Sequence, residues 1–261
     1  MTLPTDSESP SNWSRTWTDL IIPLFLLTTA TLVFRFTNLD LDISNLFYTS
    51  SGEWKYNDLG IVRAMYTFGA WPIALMALAS VILLLLSIFH QYWCPARRCG
   101  VFLVLFIAIG PTLLGNVLLK EVWVRPRPRQ TVPFGGERPY LQVFENHEGV
   151  HHVASFPSGH ASAAFGLMAP CFLFRLLRRK WWWTWLGIGL AFGILMGMCR
   201  IVQGRHFATD VIWAAGVVYL TGLVLSAILK PDVRDLLALL PFASRGAGAK
   251  QSARENSESG S

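Results

Sequence analysis

The sequence predicts an all-α integral membrane protein with six transmembrane helices and both termini in the cytoplasm. Three observations lead there. Only 15% of the 261 residues are charged and 52% are hydrophobic, whereas soluble domains carry roughly 25% charged residues. The apolar residues gather into six runs, each near the roughly 20 residues that cross a bilayer. Lysines and arginines then mark alternate connections between the runs. Backbone groups in lipid must be bonded internally, so runs of this length are helical whatever their periodicity.

Taken in order, residues 1–16 are polar, contain Asp6 and Glu8, and lack the basic start of a secretory signal. They read as a disordered segment ahead of an uncleaved anchor. The first run, Trp17 to Phe36, places Asp19 and Arg35 near its ends, where they reach the interface. The second lies within Ala64 to Tyr92, uncharged and long enough to tilt, with Pro72 bending its start. In the third, Gly100 to Leu119, Gly110-Pro111 and Gly115 are expected to kink the helix and permit close packing. The fourth follows Pro157 to about Leu177 and the fifth runs from Trp181 to Cys199. Trp181, Trp182, Trp183 and Trp185 suit an interfacial aromatic belt. The sixth, Val211 to Leu229, stops at Lys230-Pro231. Residues 17–230 thus form one membrane domain without internal repeats. Residues 231–261 form a cytoplasmic tail, rich in Ser, Gly and mixed charge and disordered from about Ser244.

Arg97 and Arg98, then Arg175, Arg178, Arg179 and Lys180, then Lys230 and Arg234 place three regions on the cytoplasmic side. The segments after the first, third and fifth runs then lie outside. The first of these, Thr37 to Arg63, is comparatively acidic through Asp40, Asp42, Glu53 and Asp58. Its Leu39, Leu41, Ile43, Leu46 and Phe47 either rest on the membrane surface or pack on the helices. The second, Lys120 to Phe156, is basic despite lying outside, so its cations need another role. The net charge of +6 does not point to nucleic acid, because the basic residues flank apolar runs. Cys94, Cys99, Cys171 and Cys199 form no zinc-type pairing and read as reduced thiols.

The chemistry concentrates in the outer segments. Lys120 and Arg127 leave the third run with Pro126 and Pro128 stiffening the chain. Arginine offers a planar fork and lysine a compact charge for phosphate oxygens. Arg125, Arg129 and Arg138 read instead as interfacial anchors contacting lipid headgroups. Pro157-Ser158-Gly159-His160 opens the fourth run: Ser158 is a good N-cap, Gly159 lets backbone approach a ligand, and free N–H groups at a helix start bind phosphate. His206 and Asp210 are four apart and share a helix face, so Asp210 can orient one imidazole nitrogen and leave the other as nucleophile. The plainer alternatives are a helix cap, an ion pair, and a carboxylate complementing a helix dipole. Arg200 adds a third cation. His147, His151 and His152, with Glu145 and Glu148, lie in a loop that reads as solvated, with a metal or headgroup site as the sharper alternative.

Lys120-x6-Arg127-Pro128, Pro157-Ser158-Gly159-His160 and Arg200-x5-His206-x3-Asp210 together resemble the three motifs of the type 2 phosphatidic acid phosphatases. The resemblance covers about Gly100 to Leu229; the first two runs match only in general architecture. It implies a six-helix fold with its site near the outer membrane face. It implies hydrolysis of a lipid phosphate ester or diphosphate through a phosphohistidine, without metal or other cofactor. His206 would be the nucleophile, Asp210 its orienter and His160 the general acid; Lys120, Arg127, Arg200, Ser158 and the Gly159 backbone would hold the phosphate. The family usually has Ser or Thr before the third-motif arginine; here it is Cys199, a weak donor, which puts one phosphate contact in question. Phe134-Gly135-Gly136 and Arg138-Pro139-Tyr140 suggest a pocket-shaping turn, similar to bacterial members acting on lipid A or related envelope lipids. That resemblance implies a bacterial inner membrane with the site on the periplasmic side. Undecaprenyl diphosphate, phosphatidylglycerophosphate and phosphatidic acid are the other candidate lipids. A lipid-to-lipid phosphotransferase would use the same intermediate. A non-catalytic transporter or scaffold is disfavoured because the centres of the runs carry almost no ionisable groups.

Overall fold

The computed structural model describes residues 12–145, 155–175, 179–237 and 239. Among these the protein is all-helical, with two isolated β-bridges and no strand. Five helical runs are long and apolar enough to cross a membrane: Trp17–Arg35, Gly60–Phe89, Gln91–Val122, Lys180–Val202 and Ala208–Leu229. The polar residues 1–11, most of the outer-loop histidine region and the tail from residue 240 lie outside the described residues.

The first run belongs to α1 (Asn12–Arg35), followed by the short α2 (Leu39–Asn45). The second is α3 (Gly60–Phe68) and α4 (Trp71–Phe89), broken at Gly69-Ala70. Pro72 falls in the first turn of α4, where its missing N–H costs nothing. The third joins a 3-10 turn at Gln91–Ala96, α5 (Arg97–Ile107), a π-wound stretch at Ala108–Leu118 and α6 (Leu119–Val122). Pro111 lies inside the π-wound stretch, so the distortion expected at Gly110-Pro111 is a widening spread over 11 residues.

The fourth expected run is shorter than the sequence predicts. It comprises α7 (Gly159–Phe165), a 3-10 turn at Gly166–Met168 and α8 (Ala169–Leu173). At 1.5 Å per residue it reaches roughly 22 Å, short of the ~30 Å hydrocarbon core. Gly166, and Pro170 in the first turn of α8, coincide with its interruption. Then come α9 (Arg179–Val202), α10 (Ala208–Leu229) and the short α11 (Val233–Leu237).

Helix α10 is the hub: it touches α1, α2, α5, α7, α8, α9 and the π-wound stretch. Phe102, Phe106, Phe165, Met168, Phe172 and Val218 interlock around it. Phe165 packs where Gly193 of α9 has no side chain, and Phe172 where Gly222 of α10 has none, the small-residue notches of membrane helix packing. Outward faces of α1 and α4 expose Ile21, Phe25, Leu75, Ile82 and Phe89, apolar surface that suits lipid.

The bundle has two distinct ends. At one, Arg175 pairs with Asp19 at 3.0 Å, Cys99 Sγ donates to Asp232 O at 3.1 Å, and Arg97 Nη2 donates to Ser87 O at 3.0 Å. At the other, Arg35 Nη1 reaches Val143 O at 3.3 Å and lies 3.7 Å from Glu145. The second end gathers the segment after α1, the loop after α6, the start of α7 and the α9–α10 turn. Within the segment after α1, Ile43 and Phe47 pack on the core while Leu46 stays exposed, so of the two expectations for this segment packing on the helices prevails.

Candidate functional site

Three chain segments converge at that second end. The loop leaving α6 carries Lys120 at the helix end and runs extended from Trp123. Backbone bonds stitch it to the others: Ser155 N–H donates to Arg125 O at 2.9 Å, Ser158 N–H to Asp210 O at 3.1 Å, and Arg129 N–H to Gly204 O at 3.1 Å. Lys120, Arg127, Ser158, Gly159, His160, Arg200, His206 and Asp210, drawn from three separate stretches of sequence, all belong to these stitched segments.

His206 is buried, and its Nδ1 lies 2.7 Å from Ser155 O. A carbonyl only accepts, so Nδ1 carries the proton and Nε2 the lone pair. Asp210 Oδ2 lies farther, 3.7 Å from Nδ1. The sequence expected the carboxylate itself to accept this proton. The carboxylate is already engaged: Oδ2 accepts from Ser155 Oγ at 2.5 Å and from Phe207 N–H at 2.9 Å, and Oδ1 from Arg125 Nη1 at 2.7 Å. Asp210 therefore braces Ser155, whose carbonyl holds the ring. Burial pushes the His206 imidazole below the usual histidine range, with Asp210 opposing and Arg200 reinforcing the shift.

Arg125 overturns its sequence expectation. It does not contact headgroups; it is 2% exposed. Its Nε donates to Leu141 O at 2.9 Å, Nη1 to Thr209 Oγ1 at 2.8 Å and Asp210, and Nη2 to Asp40 Oδ2 at 2.7 Å. Phe207 lies against the guanidinium, 4.3 Å from Cζ to ring centroid. Asp40, from α2, also accepts from Thr209 N–H at 3.0 Å and from its hydroxyl. Burial would lower the Arg125 pKa, but Asp210 and Asp40 reverse this and hold it above the ordinary arginine value. Nearby Tyr140 is pushed up to about 12, by burial first.

Among the described residues, Lys120, Arg127 and Arg200 have no carboxylate partner. Lys120 Nζ donates to Asn116 Oδ1 at 2.9 Å, one helical turn back. Arg200 Nη1 donates to Gln203 Oε1 at 2.6 Å, while its buried Nε has no hydrogen-bond partner. Tyr66 of α3 stands between two halves of the site, stacked on His160 at 5.5 Å and 5.0 Å from Arg200 Cζ. Burial lowers the pKa of Arg127 and Arg129, and facing Arg205 lowers them further.

The cap expected of Ser158 changes, and Gly159 gains a packing role. Ser158 stands at the N-cap with extended backbone, but its side chain makes no cap bond, and its buried Oγ is unpartnered. Gly159 is small for a neighbour: a Cβ there would collide with Asn116 Oδ1. It makes room for the residue that holds Lys120. Cys199 is buried in an apolar cluster with Val62, Met65, Ala164 and Met196, so packing accounts for it. His147, His151, His152 and Glu148 lie outside the described residues.

Sequence reasoning missed Ser155, Asn116, Asp40 and the role of Arg125. Asn116 had a signal, its spacing of four from Lys120. A backbone acceptor such as Ser155 O has none.

Residues 100–234 match the family model described as the PAP2 superfamily. The chain is 28% identical over 196 residues to a lipid A 4'-phosphatase of Francisella tularensis subsp. novicida, covering 74% of this chain and 87% of that one. It is 32% identical over 120 residues to a lipid A 4'-phosphatase of Rhizobium etli, covering 45% and 46%. Among solved structures it is similar to a transmembrane PAP2 type phosphatidylglycerolphosphate phosphatase from Bacillus subtilis, with TM-score 0.47 and 22% identity over 83% of this chain and 96% of that one.

Proposed function

The chain belongs to the PAP2 superfamily, and from that premise we propose that it hydrolyses a lipid phosphate ester or diphosphate at the outer membrane face through a phosphohistidine. It is a multi-pass membrane protein and a lipid phosphatase. The proposal concerns how and on what it acts.

One observation carries the mechanism: the 2.7 Å contact from His206 Nδ1 to a carbonyl, which leaves Nε2 as a lone-pair donor. Nε2 attacks phosphorus; the N–P bond forms as the P–O bond to the lipid breaks. The electron pair passes to the lipid oxygen, which takes a proton from His160. Water, deprotonated by His160, then attacks the phosphohistidine and returns the electron pair to Nε2, releasing inorganic phosphate. Lys120, Arg127 and Arg200 offset the charge spread over the phosphoryl oxygens. Ser158 Oγ and Arg200 Nε, which have no hydrogen-bond partner among the described residues, are donors that an oxyanion would satisfy. No residue in this scheme requires a metal ion.

Geometry also supports the topology. The short apolar helix Gly159–Leu173 serves as the sixth crossing. The end holding Arg97, Arg175 and Asp232 faces the cytoplasm, and residues 17–230 form the catalytic domain. The two lipid A 4'-phosphatase relatives support an envelope lipid of the lipid A class as substrate, in a bacterial inner membrane with the site on the periplasmic side.

Purified His206→Ala is expected to lose phosphate release by at least about a thousandfold while eluting and unfolding like wild type. Substantial turnover by a well-folded His206→Ala protein refutes the nucleophile.

A further inference from the structure

The site holds more positive charge than one reacting phosphoryl group needs. Such a group carries about two negative charges at most. Lys120, Arg127 and Arg200 already exceed that. Arg129 and Arg205 are then brought to the same region by backbone geometry. Arg129 N–H donates to Gly204 O at 3.1 Å and Arg205 N–H to Arg200 O at 3.0 Å. Gly204 has φ +61, a left-handed turn that glycine adopts freely. Trp54 fills the space where its Cβ would be, so the turn that presents Arg205 is both conformationally and sterically specified.

Elsewhere in the protein Arg35, Arg63, Arg125, Arg175 and Arg234 are paired with carboxylates, while Arg97 bonds the Ser87 carbonyl instead. Among the described residues no ion pair involves Arg127, Arg129, Arg200, Arg205 or Lys120. Like charges gathered without a counter-charge destabilise the folded state, and a bound anion offsets that cost. Arg129 is exposed and Arg205 part-buried, at the rim of the buried His206 centre, where a second group on the same headgroup would lie.

We propose that Arg129 and Arg205 form a second anion subsite, which takes a further phosphoryl group on the substrate headgroup. That group is either the second phosphate of a diphosphate or a phosphate elsewhere on the same lipid. The subsite rests on the phosphatase function proposed above and narrows it to lipids with two phosphates.

The test uses the full purified chain and three lipids: phosphatidic acid with one phosphate, a polyprenyl diphosphate, and a lipid A carrying two separate phosphates. R129Q/R205Q is expected to raise KM at least about tenfold for one or both two-phosphate lipids. Phosphatidic acid should shift less than about threefold, and R129K/R205K should recover most of the loss. Which two-phosphate lipid suffers identifies the source of the second group. An equal loss on all three lipids means general steering and overturns the subsite. So does no loss on any, or wild-type turnover of phosphatidic acid alone. If wild type matches the His206→Ala blank on all three, the phosphatase function itself falls, a separate result. The single variants R129Q and R205Q, each sparing one guanidinium, read the same ratio should the double variant fail to fold.

Discussion

Arg125 and Arg127 stand two residues apart on one loop, each followed by proline, and their fates are opposite. Arg125 lies within the protein and binds two carboxylates, from α2 and α10. Arg127 is part-buried, faces Arg205, and pairs with no carboxylate among the described residues. One local sequence thus supplies both a structural clamp and, under the proposed function, a ligand-facing charge. What separates them is whether the counter-charge belongs to the protein. At Asp40 and Asp210 the charge is matched within the protein, whereas under the proposed function the partner of Arg127 is the phosphate.

The largest expected effect tests the clamp. Arg125→Leu leaves Asp40 and Asp210 buried without their partner, which costs about 3–5 kcal/mol for a broken buried pair. The expected outcome is a marked fall in Tm in detergent, with activity lost as a consequence. Wild-type Tm in this variant would erase the distinction between the two arginines. Arg127→Gln should do the reverse: turnover falls by about 10²–10³, the scale of one lost oxyanion donor, while Tm holds or rises as repulsion by Arg205 is relieved. A drop in Tm equal to that of Arg125→Leu would make Arg127 structural instead.

The smallest effect is on pH dependence. As the proposed nucleophile His206 would act neutral, and its pKa is lowered, so the neutral form persists to lower pH than for a free imidazole. The acid limb of kcat/KM contributed by His206 is therefore expected below pH 6.5, the ordinary histidine value. Asp210→Asn removes an influence that raises this pKa, so its residual activity should show the limb lower still. Substrate ionisation cancels between the two profiles. A limb that moves upward contradicts the assigned electrostatics.

Much of the site was legible because its motifs state residue types whose chemistry is local. Lys120, His160, Arg200 and His206 announce phosphate chemistry in order along the chain. The clamp was not legible: Arg125 and Asp40 are 85 residues apart, and nothing in either neighbourhood names the other. Spacing placed Asp210 beside His206 but not the Ser155 carbonyl between them, because main-chain acceptors leave no trace in sequence. Helix length was readable wherever apolar runs continued unbroken. The fourth run fell short because Gly166 and Pro170 interrupt it, a local cost that average hydropathy does not register.

The buried network of Asp40, Arg125 and Asp210 joins two carboxylates to one guanidinium, so it retains one negative charge. The imidazole of His206 lies beside that network, 3.7 Å from Asp210, and also feels the opposite charge of Arg200. The protein therefore carries a built-in field across the ring before any lipid arrives. A histidine that takes up a phosphoryl group while keeping its Nδ1 proton becomes cationic on the ring, and its counter-ion is already in place. Little rearrangement is then needed as the charge appears.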